Sequence, residues 1–280
     1  MRVCPAYIRK VSRQDPLLAM LVGVCRGESQ ARQELRWMRQ ELVDPARVRW
    51  ACKLRSRQVP LQHVLGSQPF GAIDVLCRPQ VLIPRWETEE WVCDLTSRLA
   101  GMRLQIVDLC TGTGCVALHL QRSLSAARVT AVDCSASAIA LAQCNAGRNE
   151  LQLRLLQRDV LGWQPDEIGR VDLVVCNPPY IPPDKLVRDA RASVRFYEPR
   201  LALVGDKEFY ENLVRVWLSR TRAFVYEVGS EDQCAYVKKH AGKEWIVGTR
   251  KDARGEARVV YGYRDGDSEF ARAFKGYDNL

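Results

Sequence analysis

The chain has 280 residues, 47% hydrophobic and 27% charged, with 42 basic against 33 acidic side chains. Those proportions exclude a disordered polypeptide and predict one large globular domain or two unequal ones. The longest nearly unbroken apolar run, Pro16 to Cys25, is about half the roughly 20 residues a spanning helix needs, so no membrane span is expected.

The first 60 residues hold 13 Lys/Arg and 5 Asp/Glu, which is +8 of the net +9, and 11 of the 13 are Arg. Arginine suits bidentate contacts to carboxylate or phosphate, so the excess fits an acidic partner or an RNA-rich neighbourhood as well as a solvated helical face. Arg2, Arg9, Lys10 and Arg13 occur before any acid, a weak organelle-targeting character that lacks the Ser-rich length of a full transit peptide. Eleven cysteines form an odd set without a Cys-x-x-Cys, and Cys110, Cys134 and Cys176 lie in or beside apolar strand-like runs; reduced thiols are expected. His63, His119 and His240 belong to no tight Cys/His cluster, so no metal site is expected.

Three helices are predicted before residue 60. Asp15 and Pro16 open the first, which Gly27 stops; Ser29 caps a second carrying Leu35, Met38 and Leu42; Asp44 and Pro45 open the third. From Val59 to Pro84 short β-prone pieces are punctuated by Pro60, Gly66, Pro69, Gly71 and Pro79, which predicts a hairpin-like connector. A helix follows over Thr88–Leu99, with Gly101 behind it. Strands are then expected at Leu104–Asp108, Arg128–Asp133, Leu153–Leu156, Val171–Cys176 and Ala223–Val228, and helices at Cys115–Ser123, Ser135–Asn145 and Lys207–Ser219. This alternation implies a mainly parallel sheet covered on both faces, an α/β architecture. The tail, Glu244 to Arg264, predicts a final strand pair around Asp252–Gly255.

Two segments carry chemistry. In Ile106-Val-Asp-Leu-Cys-Thr-Gly-Thr-Gly-Cys115 an acid and a Gly-x-Gly turn join a strand to a helix, where the backbone can pass close to a ligand and the helix start offers free amides. Gly112, Gly114 and Ala117 also satisfy the looser dinucleotide fingerprint, so this segment alone admits a dehydrogenase. Asp133 ends the next strand, where its carboxylate could hold two ribose hydroxyls. Val174-Val-Cys-Asn-Pro-Pro-Tyr-Ile-Pro182 is more specific. Two prolines fix φ and leave carbonyls free to accept, so the Asn177 side-chain oxygen and the Pro178 carbonyl suit both hydrogens of a planar –NH2 group, with Tyr180 closing one face.

Asp108-Leu-Cys-Thr-Gly-Thr-Gly114 followed by Asn177-Pro-Pro-Tyr180 resembles the class I S-adenosylmethionine-dependent methyltransferases that act on amide or exocyclic amino nitrogens. Leu82-Ile-Pro-Arg-Trp-Glu-Thr-Glu89, Tyr197-Glu-Pro-Arg-Leu-Ala-Leu203 and Arg250-Lys-Asp-Ala-Arg-Gly-Glu-Ala-Arg-Val-Val260 narrow the resemblance to the HemK/PrmC family of release-factor glutamine methyltransferases, over roughly residues 58–263. Cys110, where bacterial members usually have Gly, and Cys115 look like the eukaryotic organellar branch. Trp86 stands for a usual Pro and Val160 for a usual aromatic.

The resemblance implies a Rossmann-like methyltransferase domain at 87–280, a β-hairpin connector at 59–86 and an N-terminal helical substrate-recognition domain at 1–58. It implies S-adenosylmethionine bound by Asp108, Cys110, Thr111, Gly112, Thr113, Gly114, Asp133, Asp159, Val160 and Asn177. Asn177, Pro178 and Tyr180 are the implied catalytic residues, with Pro179, Glu87, Thr88 and Glu198 added as substrate contacts. Helix capping explains Thr88 equally well, and a surface salt bridge explains Glu198. The implied substrate is a Gln in the Gly-Gly-Gln loop of a class 1 peptide chain release factor, modified by a monomer without nucleic acid or membrane. The implied compartment is the mitochondrion, with the cytoplasm as the alternative. An adenine-amino methyltransferase acting on RNA or DNA is the nearest rival, since Asn-Pro-Pro-Tyr suits a flipped base equally well; a non-catalytic protein docking on an RNA-rich assembly is a second.

Overall fold

The computed structural model describes residues 4–25, 27–189 and 192–278. Five helices come first: α1 (Pro5–Gln14), α2 (Pro16–Cys25), α3 (Glu28–Leu42), α4 (Pro45–Ser56) and α5 (Leu61–Leu65). Asp15 caps α2 as its sequence predicts, Oδ1 accepting from the Leu17 and Leu18 amides at 3.0 and 3.2 Å. Asp44 caps α4 in the same way through the Ala46 amide, at 2.9 Å. α1 was not expected: its short apolar face, Tyr7, Ile8 and Val11, lies within a basic segment and buries only Val11. α3 starts ahead of Ser29 with Gly27 at its N-cap, so Ser29 is an ordinary first-turn residue. Leu18, Leu21, Ala31, Leu35, Met38, Val48 and Ala51 share one apolar core.

The connector holds the expected hairpin, β1 (Ser67–Phe70) and β2 (Ile73–Leu76), paired antiparallel. Beyond it run α6 (Trp86–Arg98), β3 (Gln105–Leu109), α7 (Cys115–Ser123), β4 (Arg128–Asp133), α8 (Ala136–Arg148), β5 (Arg154–Gln157) and β6 (Leu173–Cys176). Next come α9 (Pro183–Asp189), α10 (Ala192–Tyr197), a 3-10 turn (Arg200–Ala202), α11 (Glu208–Asn212), a π-helical turn (Leu213–Trp217) and β7 (Ala223–Glu227). The chain closes with α12 (Glu231–His240), β8 (Trp245–Lys251), β9 (Ala257–Arg264) and α13 (Ser268–Ala273). The helix expected over Lys207–Ser219 is therefore divided. Its ladder widens to i→i+5, Leu218 N to Leu213 O at 3.0 Å, just after buried Asn212 turns its Nδ2 to the Val160 carbonyl at 2.8 Å.

The seven-stranded sheet has the order β5-β4-β3-β6-β7-β9-β8. Neighbours from β5 to β7 are parallel, and β9 runs antiparallel to both β7 and β8. Every residue of β6 and β7 is buried, as strands covered on both faces require. One face packs Trp91, Leu95, Leu118, Val175, Val225 and Phe270; the other packs Val107, Val174, Tyr210, Trp217, Phe224 and Val237. From β3 the chain steps outward through β4 to β5, and from β6 it steps the other way to β7. The crevice at the carboxyl ends of β3 and β6 is therefore a topological switch point, the place where such sheets bind ligands. Asn145 and Asn149 of α8 tie the hairpin to this core: Asn145 bonds both the amide and the carbonyl of Leu76, at 2.7 and 3.3 Å, and Asn149 bonds both of Asp74, at 3.1 and 2.9 Å. Among the described residues no helix is long and apolar enough to cross a membrane.

Candidate active site

Four strand ends meet at the crevice. The loop after β3 turns sharply: Cys110, Gly112 and Gly114 have φ of 57°, 56° and 80°. A side chain at Gly114 would meet Ala142 Cβ at 3.1 Å, so that glycine lets α7 pack against α8, whereas Cys110 accepts a conformation that costs a β-carbon roughly 1 kcal/mol or more. Asp108, buried at the end of β3, braces the loop: Thr111 Oγ1 donates to its Oδ2 at 2.5 Å and the Ala117 amide at 3.2 Å. Burial pushes this carboxyl up to about 7 in spite of those two donors. Asp133, at the end of β4, accepts from the Gly112 amide at 2.9 Å and from the Ser135 amide at 2.9 Å, one on each oxygen, and burial raises it too.

These groups line a cleft of about 220 Å³. Asp108, Cys110, Thr111, Gly112, Thr113, Asp133, Asp159, Val160 and Asn177 all contribute to its wall, together with Thr88 and Pro179. Gly114 does not; it shapes the turn from behind. A second cavity, also about 220 Å³, adjoins the first and shares Leu82, Arg85, Asn177 and Ala202 with it. Pro178 and Tyr180 face this second space. Asn177 thus stands at the junction of two cavities.

The 177–180 loop is held from several sides. The Ile181 amide donates to Leu203 O at 3.0 Å, and Gln233 Nε2 donates to the Tyr180 carbonyl at 3.2 Å. Gly229 lets the Tyr180 ring come close, since a β-carbon there would meet its Cδ2 at 2.5 Å. Tyr180 donates its hydroxyl to Glu227 Oε1 at 3.0 Å, while burial and that carboxylate raise the phenol above its usual range. Asn177 Nδ2 donates to Thr88 Oγ1 at 3.1 Å. Among the described residues no donor reaches Asn177 Oδ1 or the Pro178 carbonyl. Two unspent acceptors therefore stand side by side, Asn177 at the junction and Pro178 on the second cavity.

Two expected contacts lie elsewhere. Glu87 lines neither cavity. Glu198 is no surface salt bridge: it is buried, with both carboxylate oxygens 2.7 Å from Arg85 Nη2 and Oε2 also accepting from the Ile83 amide at 3.4 Å. Its role is to fasten the 83–85 segment against the wall of both cavities. Arg85, Leu82 and Glu227 were not anticipated. Arg85 and Leu82 sat within the quoted Leu82–Glu89 segment, and Glu227 showed only as an acid ending an apolar strand.

A family model for the methyltransferase small domain matches residues 93–194. The mitochondrial MRF1 N(5)-glutamine methyltransferase MTQ1 of Saccharomyces cerevisiae is 42% identical over 94% of this chain and 89% of its own. The release factor glutamine methyltransferase of Koribacter versatilis is 35% identical over 78% of this chain and 80% of its own. In fold, the chain is similar to a methyltransferase from Pyrococcus furiosus, with a TM-score of 0.53 at 16% identity over 76% of this chain and 99% of that one. The hMettl16 catalytic domain shows the same fold at a TM-score of 0.55 and 17% identity, over 78% of this chain and 83% of that one. An S-adenosylmethionine-dependent methyltransferase fold, two joined cavities and extended identity to these enzymes converge: the chain belongs to the release factor glutamine methyltransferase family.

Proposed function

We propose that the protein transfers a methyl group from S-adenosylmethionine to the side-chain amide nitrogen of the Gln in the Gly-Gly-Gln loop of a mitochondrial class 1 peptide chain release factor, supporting translation termination. It does so as a monomer, without nucleic acid. The observation that carries the substrate chemistry is the pair of unspent acceptors, Asn177 Oδ1 beside the junction of the two cavities and the Pro178 carbonyl next to it. Fit to the donor is supported by Thr113 Oγ1, a buried hydroxyl with no hydrogen-bond partner among the described residues, and by Asp133 and Asp159 in the same cleft wall. Cys110 to Thr113 would border the methionine part, Asp133 the ribose and Asp159 with Val160 the adenine.

Bound S-adenosylmethionine supplies an electrophilic methyl on a sulfonium. An amide nitrogen is a weak nucleophile because its lone pair is delocalised, so the chain contributes mostly by positioning. Holding two reactants in line is worth up to roughly 7–11 kcal/mol. Asn177 Oδ1 and the Pro178 carbonyl accept the two N–H bonds of the substrate carboxamide, aim its nitrogen at the larger cleft and favour the positive charge that develops there before one N–H proton is released. Tyr180, anchored at both ends, keeps the plane of the amide from tilting. The exposed basic face of the N-terminal helices docks the release factor.

The test is mass spectrometry of a mitochondrial class 1 release factor after incubation with the protein and the donor. A gain of about 14 Da, one CH2, on the tryptic peptide containing Gly-Gly-Gln is expected. An unmodified peptide, or label recovered in nuclease-sensitive material instead, would overturn the proposal. Asn177→Ala should abolish the gain while donor affinity stays within about a few-fold, since its loss falls on positioning of the substrate.

A further inference from the structure

Glu227 touches neither cavity, yet it sits one residue beyond the register pair Cys176–Tyr226, beside Asn177 at the end of the neighbouring strand. It is 2% exposed. A carboxyl so deep is expensive unless donors surround it, and three side-chain donors do. Thr88 Oγ1 lies 2.7 Å and Trp91 Nε1 2.9 Å from Oε2, and the Tyr180 hydroxyl 3.0 Å from Oε1. Burial raises this carboxyl and the three donors pull it down.

The hydrogens in this cluster can be placed by elimination. Trp91 Nε1 can only donate, which makes Oε2 an acceptor. The Thr88 hydroxyl has one hydrogen, and at 2.7 Å it goes to the same oxygen. Toward Asn177, Thr88 Oγ1 then offers lone pairs alone, so the end of the Asn177 carboxamide 3.1 Å away must be its –NH2. The other end, Oδ1, is left facing the junction of the cavities. A substrate amide that brings two N–H groups finds an acceptor there, and a carboxylate finds like polarity.

We propose that Glu227 is a positioning residue: through the Thr88 hydroxyl it fixes which end of the Asn177 carboxamide faces the substrate, and so makes the site prefer a glutamine to a glutamate side chain. The proposal rests on the glutamine-methylating function above and adds to it the device that orients the acceptor. What Glu227 supplies is lone pairs in the right places; the full charge is not required. With no acceptor at this position the Thr88 hydrogen is released and can turn to Asn177, the carboxamide can reverse, and its –NH2 then meets the substrate.

The experiment measures steady-state kinetics on a release factor, donor affinity by calorimetry, and inhibition by the same release factor carrying Gly-Gly-Glu. Glu227→Met is expected to lower kcat by about 100-fold, with donor affinity within about threefold of wild type. The preference for Gly-Gly-Gln over Gly-Gly-Glu should shrink by about tenfold or more, a change that a merely loosened fold would not produce. Glu227→Gln, which still offers an acceptor to Trp91 and Thr88, should recover at least about tenfold of the lost kcat. Should Glu227→Met fail to bind the donor, Thr88→Val breaks the same relay at its middle and should show the same loss of kcat and of preference. Variants within about threefold of wild type in kcat, an unchanged preference, or a Glu227→Gln as inactive as Glu227→Met would each overturn the proposal. If wild-type protein itself leaves the release factor unmethylated, the proposed function fails instead, and the two failures are told apart.

Discussion

Burial pushes the Asp108 carboxyl up to about 7, while bonds from Thr111 and Ala117 work against that rise and the nearby Asp133 adds to it. The unfolded chain gives up this proton near pH 4, so between those values the folded form holds a proton the unfolded form has lost. The stability linked to Asp108 is accordingly complete below about pH 4 and is lost as pH rises through about 7. Asn at the same position keeps an acceptor for Thr111 and Ala117 but cannot ionise. Unfolding free energies of wild type and Asp108→Asn, measured side by side from pH 4 to 8, should diverge in favour of the variant as pH rises and run parallel above about pH 7. A difference that stays constant across the range would show that Asp108 ionises normally in the folded protein. The cost of a neutral-range carboxyl is tolerated here because the same residue shapes the loop that a cationic donor approaches.

Among the elements, those with a strong local pattern were legible and those made by distant contacts were not. β4 and α7 match their predicted bounds residue for residue, because β-prone Val129, Thr130 and Val132 lie between Arg128 and Asp133 and Cys115 follows Gly114 directly. α5 has five residues, too few to show a helical period, and α12 buries only Gln233, Cys234 and Val237. Asn177 and Pro178 could be read because the Asn-Pro-Pro-Tyr run directly follows β6, and Asp133 because it ends the strand next after the Gly-x-Gly turn. Glu227 could not, since its partners Thr88, Trp91 and Tyr180 lie 139, 136 and 47 residues away and no local spacing announces them. The hairpin was foreseen from its glycines and prolines, but its anchor on α8 was not. Asn145 serves three backbone groups at once: the Leu76 amide, the Leu76 carbonyl and, at 2.9 Å, the Thr113 carbonyl in the loop after β3. Asn145→Ala strands all three in a buried position, which should cost about 3 kcal/mol, given roughly 1–3 kcal/mol for each unsatisfied group and partial relief by water. Calorimetric melting should fall by about 6–12 °C, at roughly 2–4 °C per kcal/mol for a chain of this class. Donor affinity should weaken with it, because the loop loses its support; a variant with wild-type melting would mean that the Asn149 bonds and apolar contacts hold the hairpin without Asn145.

At the scale of the molecule, charge and chemistry are separated. Residues 1–60 hold +8 of the net +9, so the catalytic sheet is close to neutral and the helical layer carries the field. On that layer Trp37 is 42% and Trp50 57% exposed, and Arg36, Arg39, Arg47 and Arg49 are exposed beside them in sequence. Exposed tryptophan among arginines is the composition of an interface core with a charged rim. Under the proposed function the release factor docks on this layer, while S-adenosylmethionine binds in the larger cleft, whose lining begins at Gln80. Attraction between exposed charges weakens as the Debye length falls from about 14 Å at 0.05 M salt to about 6 Å at 0.3 M. KM for the release factor should therefore rise several-fold over that range, with kcat and donor affinity nearly unchanged, because steering acts on encounter and leaves the bound geometry alone. Arg47→Glu combined with Arg49→Glu should raise KM at low salt and flatten its salt dependence, and Trp50→Ala should raise KM at every salt concentration, because its contact is apolar. If instead the arginine pair lowered kcat and left KM where it was, the helical layer would be acting on the chemistry through the connector and not as a docking surface.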